Sequence, residues 1–208
     1  EEIKYLSKLG LVDGVTTNPS LIYKSGKDFK TVIKEISDLV DGPISAEVTS
    51  TVSNEMIDQG IELSKIAKNI VVKVPLTADG LKACKELSLQ NIKVNVTLCF
   101  SSSQALLAGK LGAAYISPFI GRLDDIGTSG LNLIKEIVSI YNNYKKNITT
   151  QVLAASIRSP LQVSQVAMVG AHVATIPPKI ITQMIKHPLT DTGLDAFMND
   201  WNKTGQKF

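Results

Sequence analysis

Hydrophobic residues recur along this chain at two alternating spacings. Between Lys27 and Val40 they fall at Phe29, Val32, Ile33, Ile36 and Leu39/Val40, the three-to-four spacing that gives a helix one apolar face. Short β-branched runs such as VVKVP (71–75) and KVNVTLC (93–99) read instead as buried strands. The pattern predicts helices over 1–9, 27–40, 53–68, 77–89, 101–111, 131–145, 160–169, 178–186 and 192–203. Strands are expected over 14–18, 43–49, 69–75, 93–99, 113–120, 149–155 and 172–176. Gly10, Gly112 and Gly170 stand where helices should stop, and Thr77 is placed to cap one.

Strand and helix therefore alternate, which predicts parallel βαβ units. An open doubly wound sheet and a (β/α)8 barrel both fit that order. The doubly wound fold usually carries a glycine-rich turn after its first strand, whereas Asn18 is followed by Pro-Ser-Leu-Ile. Side-chain parity favours the barrel. Residues two apart share one face of a strand. Thr16 and Asn18 share a face, as do Ser45, Glu47 and Thr49, then Asn95 and Thr97, then Tyr115, Ser117 and Phe119. Polar residues of one parity near successive strand ends suit a barrel, whose inward residues converge at the C-terminal mouth. Thr and Ser also occur in strands through β-propensity alone.

Lys73 lies inside the valine run of its strand. An edge strand could send such a lysine to water. Inside a barrel it needs a partner, because buried charges must be paired or hydrogen-bonded. Taking an ammonium out of water favours the neutral amine, which attacks carbonyl carbon to form a Schiff base. Glu47 is a carboxylate able to move protons, and Asn18, Asn95, Thr97 and Ser117 offer groups for sugar hydroxyls. Of 22 basic residues two are arginines, Arg122 and Arg158, each just past a strand's C-terminal end. With Ser156 they suit a phosphate clamp, since guanidinium meets phosphate as a fork. Loose surface ion pairs with Asp124 and Asp125 are the alternative.

Composition narrows the setting. The chain has 208 residues, 44% hydrophobic and 20% charged, enough for one large domain with a full core. A net charge of +3 gives no argument for nucleic acid. No stretch reaches the roughly 18–20 apolar residues of a membrane span, so no membrane partner is expected, and no signal peptide stands at the N-terminus. Cys84 and Cys99 suggest neither a disulfide framework nor a metal site and fit a reducing cytoplasm. His172 and His187 are far apart, and His172 reads as structural. No metal ligand set is visible, and no cofactor is expected.

VTTNPSLI (15–22), IVVKVPLTADGL (70–81), NVTLCFSSSQA (95–105), YISPFIGRLDD (115–125) and VLAASIRSP (152–160) resemble the small transaldolases and the related fructose-6-phosphate aldolases. The resemblance spans nearly the whole chain. It implies a metal-free, class I (β/α)8 barrel of the pentose phosphate pathway, spanning 1–208 as a single domain. Such an enzyme moves a dihydroxyacetone unit from fructose 6-phosphate or sedoheptulose 7-phosphate to an aldose phosphate. By motif, Lys73 would form the Schiff base, while Glu47 and Thr97 would hold a proton-relaying water. Asn18, Asn95 and Ser117 would bind hydroxyls of the dihydroxyacetone unit, and Arg122, Ser156 and Arg158 the phosphate. Glu47, Phe119 and Arg158 match the transaldolase branch; the aldolases carry glutamine and tyrosine at the first two. The remaining alternatives are a direct aldolase and a non-catalytic sugar-phosphate binder.

The family's first strand carries an aspartate used in carbon–carbon cleavage. This sequence starts at Glu1 within the first expected helix, so that strand is expected to be missing from it. The resemblance also implies a homo-oligomer, a pentamer or decamer, with the C-terminal helix (about 190–203) reaching a neighbour. Leu194, Phe197, Met198 and Trp201 form an apolar stripe there that could equally pack on its own barrel.

Overall fold

The structure, a computed structural model, describes residues 1–207. The chain runs α1 (Glu2–Lys8), β1 (Val15–Thr16), α2 (Pro19–Ser25), α3 (Phe29–Leu39), β2 (Ile44–Glu47), α4 (Ser53–Ser64) and β3 (Ile70–Pro75). It continues through α5 (Ala78–Leu89), β4 (Val94–Cys99), α6 (Ser102–Lys110), β5 (Tyr115–Pro118), α7 (Ile120–Asp124) and α8 (Gly130–Asn143). Then come β6 (Gln151–Ala154), α9 (Pro160–Met168), β7 (Val173–Ala174), α10 (Pro178–Ile185) and α11 (Pro188–Thr204).

The seven strands of the described residues pair in parallel and in chain order, β1 to β7. The sheet curls until its two ends approach: the hydroxyls of Thr16, on β1, and Thr175, just beyond β7, lie 2.6 Å apart. The fold is therefore α/β with a curled parallel sheet of the TIM-barrel type. Among the described residues β1 and β7 do not pair with each other.

The parity expected from sequence sorts the sheet into two faces. Ile44, Ala46, Val48, Ile70, Val72, Val74, Val94, Val96, Ile116, Val152 and Ala154 belong to the apolar core between sheet and helices. Ser45, Lys73, Asn95, Thr97 and Ser117 occupy the opposite parity and are buried as well. Polar residues are thus enclosed on the concave side while helices cover the convex side. A one-residue slip in any strand would exchange the two sets.

Helix starts are set chemically. Asn18, Asp28, Thr77, Ser101, Ser129 and Ser159 each accept a backbone N–H of the first turn that follows. Two helices were not expected from the periodicity. α2 occupies the Pro-Ser-Leu-Ile turn, with Asn18 capping it, Pro19 at its first turn and left-handed Gly26 ending it. It buries no residue, so no apolar stripe announced it. α7 takes over the end of the strand expected over 113–120, and its five residues are too few to display a helical period. α11 starts at Pro188 rather than Thr192, capped by His187 Nδ1, which accepts from Leu189 N–H. No helix of the described residues is long and apolar enough to cross a membrane.

Gly80 shows how tightly the lysine strand is held. A Cβ there would stand 1.8 Å from the carbonyl oxygen of Pro75, the last residue of β3. Gly80→Ala should cost about 2 kcal/mol in urea denaturation, within the usual range for overpacking. Gly193→Ala, in α11 with open space around it, should instead add roughly 0.5–1 kcal/mol through helix propensity.

Candidate active site

Three adjacent strands bring the central groups together. Glu47 of β2, Lys73 of β3 and Asn95 of β4 are register partners in sequence, Glu47 with Lys73 and Lys73 with Asn95. Lys73 is 6% exposed. Its Nζ lies 2.9 Å from Glu47 Oε2 and donates to the main-chain oxygen of Thr17 at 3.1 Å. The ammonium expected to need a partner has one hydrogen-bond acceptor and one ion-pair partner.

Beside this pair runs a chain of neutral hydrogen bonds. Asn95 Nδ2 donates to Ser45 Oγ at 3.1 Å, and Ser117 Oγ donates to Asn95 Oδ1 at 2.7 Å. Both ends of the fully buried Asn95 amide are thereby oriented. Thr97 is also enclosed, and its hydroxyl has no hydrogen-bond partner among the described residues. Directly after it, Leu98 has φ +60°, and the β4–β5 register shifts between Val96 and Cys99. A branched side chain in left-handed backbone is costly, and such bulges gather where a strand end is re-aimed beside a site.

The mouth is more open. Asn18 is half-buried, and its Oδ1 is engaged in capping α2, which leaves its NH2 group for other partners. Phe119, between β5 and α7, meets Phe100 edge-on with ring centroids 6.0 Å apart. The Arg122 guanidinium carbon lies 4.9 Å from the Phe119 ring centre. Arg122 and Arg158 are both exposed. Arg158 Nη2 makes a 2.8 Å ion pair with Asp125 Oδ2, one of the contacts anticipated as the alternative to a phosphate clamp. The two arginine loops nonetheless touch. Ser156 adopts φ +63°, and a Cβ on Gly121 would stand 2.1 Å from the Ser156 oxygen and 2.8 Å from Arg158 Nε. Only glycine lets these loops approach so closely.

Other candidates prove structural. His172 Nδ1 accepts from Val152 N–H, binding β6 to the start of β7. Cys84 and Cys99 are free but enclosed, and burial pushes their thiols up to about 11 and about 12. Both stay protonated at neutral pH, the unreactive form. Sequence reasoning did not single out the Thr17 carbonyl, since a main-chain group leaves no trace in residue type. Ser45 was placed on the correct face but given no role; its spacing from Glu47 was the available signal.

Fold and site together define a parallel α/β protein of the barrel type with an ion pair on its concave side between a buried lysine and a half-buried carboxylate. The profile of the family described as "Transaldolase/Fructose-6-phosphate aldolase" matches residues 1–208, and the chain belongs to that family. It is 56% identical over 207 residues to a "Probable transaldolase" of Thermoanaerobacter sp. (strain X514), covering 100% of this chain and 95% of that one. It is 60% identical over 206 residues to one from Chelativorans sp. (strain BNC1), covering 99% and 94%. A third, from Clostridioides difficile (strain 630), is 58% identical over 207 residues, covering 100% and 95%.

The Lys73–Glu47 pair also bears on stability. Removing one partner of a buried pair strands the other charge. Glu47→Ala should destabilise the protein by about 3 kcal/mol in urea denaturation, and the double variant Lys73→Met/Glu47→Leu should recover most of that loss.

Proposed function

We propose that this protein is a transaldolase that carries a dihydroxyacetone unit on Lys73 as a Schiff base. The observation that carries this reading is the enclosed Lys73 amine held against Glu47 at 2.9 Å. The amine attacks the ketone carbon of fructose 6-phosphate or sedoheptulose 7-phosphate, and loss of water gives an iminium. Glu47, with a water held between it and the free hydroxyl of Thr97, passes the protons of addition and dehydration. The iminium then accepts the electron pair of the adjacent carbon–carbon bond as the departing carbinol passes its proton, through that water, to the Glu47 carboxylate. An aldose phosphate departs and an enamine remains on Lys73. The enamine attacks the aldehyde of a second aldose phosphate, and hydrolysis releases the new ketose. This exchange belongs to the pentose phosphate pathway.

Asn95 and Ser117, oriented by their own hydrogen bonds, present polar groups to the hydroxyls of the three-carbon unit, and the NH2 group of Asn18 joins them from the rim. Arg122, Ser156 and Arg158 take the phosphate, with Arg158 exchanging Asp125 for it. The exposed stripe of Leu194, Phe197 and Met198 on α11 supports homo-oligomeric assembly. The two free thiols support a cytoplasmic setting.

Borohydride reduction in the presence of fructose 6-phosphate, followed by peptide mass mapping, should place a covalent three-carbon adduct on Lys73. Absence of any adduct would falsify the Schiff-base reading. Product analysis with and without erythrose 4-phosphate then separates the reactions: a transaldolase depends on the acceptor, whereas a direct aldolase releases dihydroxyacetone without it.

Phe119 should favour transfer by keeping water from the enamine. Phe119→Tyr is expected to raise free dihydroxyacetone release relative to transfer, and an unchanged ratio removes that role.

A further inference from the structure

We propose that Thr17 is a positioning residue whose main-chain carbonyl fixes the direction from which Lys73 attacks; the inference rests on the Schiff-base reading above. A neutral amine carries two hydrogens and one lone pair. One hydrogen of Lys73 Nζ goes to Thr17 O at 3.1 Å, and Glu47 Oε2 stands beside the nitrogen as its ion-pair partner at 2.9 Å. With the bond to Cε, the hydrogen bond to Thr17 sets how the amine is rotated about its Cε–Nζ axis. The lone pair is thereby kept away from the Thr17 side and points into the directions that remain. Orienting the attacking atom in this way removes rotational freedom that the reaction would otherwise have to overcome.

The two partners are not equivalent. Glu47 is a carboxylate and can take a proton away. The carbonyl of Thr17 is too weakly basic to do so near neutral pH, and it remains an acceptor whatever the state of Glu47. Thr17 therefore holds the nitrogen while Glu47 exchanges protons. When the nitrogen keeps a single hydrogen, in the adduct, Thr17 O can retain it and leave Glu47 free for the relay.

That carbonyl is unusually well anchored for a residue beside a two-residue strand at the edge of the sheet. Thr17 is enclosed, and it donates twice to one atom, the Ser45 oxygen: its N–H at 2.9 Å and its Oγ1 at 2.8 Å. The preceding residue is tied across the open seam by the Thr16–Thr175 hydroxyl contact at 2.6 Å. The following residue, Asn18, caps α2 through Leu21 N–H at 2.9 Å. The Thr17 hydroxyl is the side-chain part of this anchorage, so it can be removed without touching any group in contact with Lys73 or substrate.

The test is the rate of borohydride trapping on Lys73 at saturating fructose 6-phosphate, measured with the KM for that substrate. Wild type must first yield the Lys73 adduct; if it does not, the Schiff-base reading fails and this inference falls with it. Thr17→Val keeps the shape and removes the donor. It should slow trapping roughly tenfold, less than the hundredfold that a misplacement of about 1 Å can cost, with KM within about twofold of wild type. Thr17→Ser restores the donor and should restore the trapping rate. Thr17→Ala carries the same expectation as valine, so a valine variant that does not fold still leaves the claim open to refutation. A Thr17→Val or Thr17→Ala protein that folds and traps at the wild-type rate overturns the proposal while leaving the Schiff-base reading standing. So does a serine variant that folds and remains as slow as valine.

Discussion

One ammonium group, Lys73 Nζ, constrains three strands at once. Withdrawing such a charge from water costs several kcal/mol even after the protein relaxes. The compensation comes from β2, through Glu47, and from the end of β1, through the Thr17 carbonyl. Neither contact survives a change of register. Glu47 faces Lys73 because Ile44 pairs with Ile70 three positions of sheet earlier. Thr17 faces it because Val15 and Thr16 pair with Ile44 and Ser45. The apolar parity of β2 and β3 fixes that register by burial, of β2 against α3 and of β3 against α4 and α5, and the lysine pair is satisfied only in it. Packing on the outer face and electrostatics on the inner face therefore specify the same alignment, the consistency between levels that marks a well-determined fold.

The enclosed side and the rim of the site differ in kind. Ser45, Asn95 and Ser117 hold one another by short neutral hydrogen bonds in a closed environment. Such networks resist rearrangement, because breaking one bond leaves a buried polar group unsatisfied. The arginines at the mouth stand on α7 and on the loop after β6 and remain exposed. Rigid groups thus surround the amine, where the proposed chemistry needs fixed distances, and adaptable groups stand where substrate would enter.

How far all this could be read in advance depended on the physical signal each part leaves. Strand order and the inner parity were legible because alternation has a period of two and each polar residue on it is costly to bury. Lys73 was legible as an anomaly within Val71–Pro75. α2 was not, since it is an exposed helix and its signals lie only in its caps, Asn18, Pro19 and Gly26. α7 was hidden behind an apolar run that reads equally well as strand. The contact between Thr17 and Lys73 was invisible for a deeper reason. It is made by a main-chain atom of a residue whose side chain belongs to the opposite parity from Thr16 and Asn18. Residue type carries information about side chains, whereas the direction of a carbonyl follows only from where the chain turns.

The arginine at the rim shows why a competing ion pair need not argue against a binding role. Arg158 meets Asp125 with both side chains more than half exposed, 55% and 54%. Pairs of that kind contribute between nothing and about 1 kcal/mol, because water and salt screen them and two long side chains must be ordered to make them. A phosphate dianion offers the guanidinium a fork of oxygens and a larger charge. Exchanging Asp125 for phosphate would therefore cost little and gain more. The carboxylate meanwhile keeps Arg158 directed toward α7, beside Gly121, instead of free in solvent. An exposed, weak ion pair of this kind holds the arginine near its proposed place without competing strongly for it, which a buried pair could not do.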